Sequence, residues 1–373
     1  YRNGAATLFR DRRSPDEIAT LISQLFLGIR LDCAKCHHHP FERWSQEDFY
    51  SFAAYFSRVG RKGTGLSPPI SGSEEVVLGA KSGSVTHPRT NEVLSPRPLF
   101  GENNLSAEDM LDDYTLRHKL VDWMVSKDNE FFAGVMVNRI WADLMGRGLF
   151  EPVDDLRATN PASNEPLLKD LGTYFADNHY DIKKLIAVIA KSHVYELSST
   201  ATERNIADTQ NYSRHYRQRL RAEVLLDAVA DITQIPNKFA AMPAGSRSNQ
   251  IWTHRVSSLF LDTFGRPDPT QDPPCERTTD STVTQALHMM NAPQIHANII
   301  SDNGRLAALA ARKELTSDEI VGQIYLLAYS RRPTEEELGI CQDIFSQEGM
   351  SRRQAAETIL WALMNTPEFI IKD

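Results

Sequence analysis

The chain has 373 residues, is 41% hydrophobic and carries a formal net charge of −8, a composition that suits a soluble globular protein with one large core or two smaller ones. The acidic balance argues against nucleic acid or an anionic membrane as main partner, and no apolar run reaches the roughly 18 residues of a membrane span. With only four cysteines, the chain is not a disulfide-dense secreted scaffold. It opens Tyr1-Arg2-Asn3, with neither an initiator Met nor a signal peptide, and reads as a mature or excised fragment.

Ser14-Pro15-Asp16-Glu17 is a helix start, with Ser as N-cap, Pro at the first helical position and Glu reaching back. Ile18, Leu21, Ile22, Leu25, Phe26 and Ile29 then recur at helical spacing and carry the helix toward Cys33. There the sequence reads Cys33-Ala34-Lys35-Cys36-His37-His38-His39-Pro40, and Cys-x-x-Cys-His is the spacing that attaches haem covalently in c-type cytochromes. Two thiols add to the haem vinyl groups, and the following histidine becomes the axial ligand of the iron. Cys33, Cys36, His37 and His39 are equally four soft or borderline donors that can hold zinc or iron directly. A disulfide or two unliganded thiols is the third reading. Pro40 stops helix from running on through the histidines. Ser45-Gln46-Glu47-Asp48 opens the next helix, whose Phe49, Phe52, Ala53 and Phe56 share one face.

Residues 60–105 are punctuated by Gly and Pro, with short β-like pieces at Val76–Leu78 and Ser84–Thr86. From Leu116 onward helical periodicity dominates. Helices are expected over 117–126, over 129–150 with Gly146 as C-cap, after a Ser163 cap, and after an Asp181 cap. Further helices are expected at 221–234, 279–291, 317–329, 335–346 and 352–364, with capping boxes at Thr316 and Thr334. The fold class is therefore mainly α. A short helical module with the Cys-x-x-Cys-His motif (1–59) is followed by a Gly/Pro-rich linker with a small β-hairpin (60–105) and a larger helical domain (106–373).

Other candidate chemistry is weaker. Cys275, just before an expected helix, is a candidate nucleophile or further metal ligand, or a small buried residue. Arg214, Arg217, Arg219 and Arg221 form the densest basic cluster. Arg219 and Arg221 read as a carboxylate clamp, suited to haem propionates or an acidic substrate, or as structural ion-pair partners. Asp154 and Asp155 read as an acid–base pair, a calcium site, or arginine partners. His193 reads as a core histidine continuing the Ile182–Ile189 face. His288, Met289, Met290 and His296 offer residue types of a sixth haem ligand, though Met290 lies with Val283 and Leu287 on a face that reads as core.

Four stretches carry a resemblance: Cys33–Trp44, Val137–Leu149, Glu151–Pro161 and Ser213–Ala228. They resemble the large planctomycete proteins that join a cytochrome c-like domain to two domains of unassigned function. The resemblance spans nearly the whole chain and implies export, a role with haem, and a start downstream of the cytochrome domain and of part of the next. The function expected is extracytoplasmic electron transfer or a haem-dependent redox step, with Cys33 and Cys36 as tethers and His37 as axial ligand. Its partner would be a redox protein or the attached cytochrome domain. A zinc- or iron-stabilised scaffold held by Cys33, Cys36, His37, His39 or Cys275, and a hydrolase of extracellular polymers, are the alternatives.

Overall fold

The computed structural model describes residues 8–9, 12–63, 75–240, 242–251, 256–267, 277 and 281–372. Cys275 lies outside the described residues. The fold is mainly α, as expected, and the described strands pair only two by two. The chain divides into two compact units, Tyr1–Tyr216 and Arg217–Asp373.

In the first unit, α1 (Pro15–Ile22) starts on the expected capping box of Ser14 and Glu17. It does not run on to Cys33. A π-helical turn over Ser23–Leu27 follows and ends at Gly28 in the left-handed conformation. The helices α2 (Asp32–Cys36) and α3 (Gln46–Ala53) flank the histidines, and α3 begins at Ser45 as its sequence predicts. Phe49, Phe52, Ala53 and Phe56 are all buried. They form one core with Ile18, Leu27, Leu31 and Trp44, and this core also takes in Leu116, Leu120 and Met124 of α4 (Asp113–Met124).

Two small hairpins stand in the Gly/Pro-rich stretch. β1 (Val59–Gly63) pairs antiparallel with β2 (Glu75–Gly79), and β3 (Val85–Thr86) with β4 (Val93–Leu94). The two expected β-like pieces thus pair with other partners rather than with each other. Next come α5 (Glu130–Met145), α6 (Glu165–Asp177) and α7 (Ile182–Ala190) around a second core that includes Val137, Trp141, Leu168, Phe175, Leu185 and Ile189. Gly146 caps α5 in the left-handed region, so the helix ends five residues earlier than its apolar pattern suggests. The cap of α6 is Asn164 rather than Ser163, because it is Asn164 whose side chain accepts from Leu167 N–H. Helix α7 ends before His193, which is exposed rather than part of the core.

The second unit is helical and closed by its own ends: β5 (Gln218–Arg219) pairs antiparallel with β6 (Ile371–Lys372). Between them run α8 (Ala222–Thr233), α9 (Leu259–Thr263), α10 (Val283–Asn291), α11 (Pro293–Ile299), α12 (Arg305–Ala311), α13 (Ser317–Tyr329), α14 (Glu335–Phe345), α15 (Arg352–Met364) and α16 (Pro367–Ile370). The capping boxes at Thr316 and Thr334 are both formed. Among the described residues, no helix is long and apolar enough to cross a membrane.

Candidate functional site

The Cys–His loop of the first unit rests on a frame of buried polar contacts. Asn138 is fully buried on α5. Its amide donates to the Phe150 and Val153 carbonyls at 2.9 and 3.3 Å, and its oxygen accepts from Phe150 N–H at 3.3 Å. A side chain at Gly148 would put its Cβ 2.5 Å from the Phe150 carbonyl oxygen, so only glycine allows the chain to turn this tightly beside Asn138. The stretch thus held delivers Asp154, Asp155, Leu156 and Arg157 under the Cys–His loop. Asp154 accepts from Gln24 Nε2 at 2.9 Å and from Arg30 Nη2 at 2.7 Å, and Asp155 pairs with Arg157 at 2.9 Å. Both aspartates are buried arginine partners rather than a free acid–base pair. Leu156 N–H donates to the Gly28 carbonyl at 2.9 Å, fastening this stretch to the end of the π-helical turn.

Above that frame, α2 carries Cys33 and Cys36 three residues apart, hence on one face of its single turn. Both thiols are exposed and free of any disulfide. Lys35 anchors the turn. Its ammonium pairs with Asp16 at 2.6 Å, which holds its pKa above the ordinary lysine value, and its carbonyl accepts from Gln46 Nε2 and Tyr50 O–H.

The three histidines have different hydrogen-bond roles. His37 Nδ1 lies 2.7 Å from the His38 carbonyl oxygen. A carbonyl only accepts, so the contact assigns the proton to Nδ1 and leaves the lone pair on Nε2. His38 Nδ1 accepts from Gln46 N–H at 3.3 Å. His39 Nδ1 accepts from the amides of Phe41 and Glu42 at 3.3 and 3.0 Å, while the His39 backbone N–H donates to the Trp44 carbonyl. In their neutral forms His38 and His39 therefore carry the proton on Nε2, and only His37 offers an unprotonated Nε2.

Two cavities open here. One of about 270 Å³ is bordered by Cys33 and His39 and by the charged Arg30, Asp32, Asp155 and Arg157. A cleft of about 830 Å³ shares Phe41, Glu42, Trp44, Leu156 and Arg157 with it and extends along α5 and α6.

The remaining sequence candidates lie in the second unit. Arg219 is half-buried and donates to the carbonyls of Leu220 and Phe264, with its guanidinium 5.5 Å from the Phe264 ring. Burial lowers its pKa. Arg221 is exposed at the N-cap of α8. On α10 the sequence places Met290 in the core, but Met289 is the buried one. Val283, Leu287 and Met290 are exposed, while Gln285 and Met289 of the neighbouring stripe are buried. His288 packs against the rings of Phe260 and Phe264, and burial lowers its pKa. Among the described residues, no group of three or more His, Cys, Asp or Glu side chains is placed to hold a metal ion.

Residues 116–345 match the family described as PSD1, protein of unknown function (DUF1553). The chain belongs to this family. Residues 2–61 match a second family, PSCyt2, protein of unknown function (DUF1549). The Cys–His loop thus falls in the PSCyt2 match and the Asp154–Arg157 stretch in the PSD1 match, and the Gly28–Leu156 hydrogen bond joins the two. No curated protein and no solved structure matches the chain.

Sequence reasoning singled out the loop but missed Gln24, Arg30 and Asn138, which support it. Nothing local marks them: each is a common residue inside a helical pattern or beside it, and its role comes from a partner about 12 to 130 positions away.

Proposed function

We propose that this PSD1-family protein carries a c-type haem on its first unit and serves extracytoplasmic electron transfer or a haem-dependent redox step. The observation that carries the reading is the division of roles among the three histidines. His37 alone follows the second thiol directly and alone offers a lone pair at Nε2, with Nδ1–H held by a carbonyl in the manner of a metal-bound histidine. The donor set fits the group: Cys33 and Cys36 are exposed, free and on one face, as thioether formation at two vinyl groups requires. When bound, the group supplies one-electron redox chemistry. The chain's own part is to tether through Cys33 and Cys36, to ligate through His37, and to keep the loop rigid through Lys35, Gln46 and Asp154. A redox protein or an attached cytochrome domain is the partner this reading calls for.

A second reading is favoured by the small cavity beside Cys33, where Arg30, Asp32, Glu42, Asp155 and Arg157 stand among the apolar Ile29, Phe41, Trp44 and Leu156. A zinc or iron ion bound directly by Cys33, Cys36 and His37 needs no apolar crevice, but these three side chains, which are not grouped for a metal in the structure, would have to turn toward one another to hold it. His39 would join only by giving up its two backbone hydrogen bonds.

Mass spectrometry of protein matured in a periplasm equipped for haem attachment tests both. The expected result is the added mass of one haem, lost in Cys33→Ser with Cys36→Ser. His37→Ala should keep the attachment but change the optical spectrum, whereas His39→Ala should leave the spectrum alone. An unmodified mass with stoichiometric zinc would overturn the haem reading in favour of the second.

A further inference from the structure

The haem reading uses residues 33–37 and leaves the side chains of Phe41, Glu42 and Arg43 without a role. They form one wall of the cleft of about 830 Å³, a volume in the range of small-molecule sites. Along its length α5 and α6 pack closely, with Gly172 against Ala133 and Gly134. Phe41 stands at the mouth with 73% of its surface exposed, an uncommon position for an aromatic ring.

The charge around the cleft decides what it takes. The basic side chains are Arg43, Lys127, Arg157 and Lys169, and the carboxylates are Glu42, Asp128, Glu130, Glu165 and Asp177. The signs nearly cancel, so the cleft does not select a polyanion or a polycation. A wholly apolar ligand would strand these groups away from water. A neutral ligand rich in hydroxyl groups meets the carboxylates and the cations of the rim alike, because a hydroxyl both donates and accepts hydrogen bonds.

We infer that the cleft is a binding site for a neutral saccharide. The C–H face of a sugar ring packs on Phe41, and its hydroxyls bridge the carboxylates and cations of the rim. The site stands independently of the haem reading, since none of Cys33, Cys36 and His37 borders this cleft.

The test is isothermal titration of the full chain with neutral hexasaccharides of glucose, xylose, mannose and galactose, alongside a sulfated oligosaccharide. At least one neutral probe should bind. Phe41→Ala and Glu42→Gln should each weaken it about five- to tenfold, the scale of one lost ring contact or one lost charge-assisted hydrogen bond. The exposure of Phe41 and the near-equal shape of Gln make both variants compatible with folding, which circular dichroism checks. The inference is overturned if no neutral probe binds at about 10 mM, the weak limit of specific recognition. It is equally overturned if the sulfated probe binds tighter than every neutral one, or if both variants bind as the parent does.

Discussion

Gly28→Ala should break the junction between the two matched regions, and the structure sets the size of the effect. Gly28 has φ +64°, where a side chain costs roughly 1–2 kcal/mol. The added Cβ would also stand 2.4 Å from Val135 Cγ2, about 1 Å closer than ordinary carbon contacts. Val135 is 1% exposed and cannot swing into solvent. Overpacking of this kind costs about 1–3 kcal/mol, so the total is about 3 kcal/mol. Because the chain has two units, global unfolding is not a clean readout. Amide exchange at 24–44 and 154–158 is, since Leu156 N–H is held by the Gly28 carbonyl. Protection of these segments should fall by roughly a hundredfold, with segments of the second unit unchanged. Val135→Ala in the same chain should restore part of it by removing the clash while leaving the backbone cost. Unchanged protection in Gly28→Ala, or no recovery in the double variant, would refute the reasoning.

Asp154→Asn should lower the thermal stability of the first unit by about 2 kcal/mol, because Arg30 loses its carboxylate while remaining partly exposed to water. Calorimetry of the variant against Asp155→Asn reads the difference. Burial pushes the Tyr212 hydroxyl up to about 12, and the hydroxyl donates to the Gly148 carbonyl at 2.7 Å. A folded-state pKa above the unfolded value of about 10 means stability present below pH 10 and lost as pH rises toward 12; Tyr212→Phe should flatten that loss in a pH series of denaturation midpoints. Arg219→Ala should destabilise the second unit by about 2 kcal/mol through the lost bonds to Leu220 and Phe264, while haem incorporation, read by absorbance, stays at the parent level.

What the sequence made legible were features whose physics is local. Ser14, Ser45, Asp181, Thr316 and Thr334 cap helices as expected, because an N-cap bonds within three residues of itself. Where two adjacent residues both cap well, as Ser163 and Asn164 do, propensity does not choose between them. The π-helical turn at Ser23–Leu27 left no local mark, since an apolar pattern over Ile18–Ile29 fits a continuous helix almost as well. On α10 Val283, Leu287 and Met290 have the helical spacing of a core stripe, yet Gln285 and Met289 are the buried positions, because the elements packed against a helix, not its own pattern alone, decide which face turns inward. The site itself was half legible. The Cys-x-x-Cys-His spacing is written in adjacent residues, whereas the Gln24–Asp154 and Arg30–Asp154 contacts join positions more than 120 apart.

The chemical environment separates residues that serve the fold from residues that serve something outside it. Asn138, Asp154 and Gly28 are buried, bonded or tightly packed, and their presence is accounted for by the structure they hold. Cys33, Cys36, His37 and Phe41 are exposed, and burial rewards none of them. An exposed thiol pair is prone to oxidation, and an exposed phenyl ring orders water without packing against anything. Folding therefore supplies no reason for these four side chains within one nine-residue loop. The same loop is nevertheless braced from beneath by Lys35, Gln46 and the half-buried Asp154–Arg30 pair. A surface costly to leave bare, mounted on a frame built to keep it still, is what a preorganised binding site requires. On the two proposals made above, the thiols and His37 serve one ligand and Phe41 another, and the same braced loop carries both.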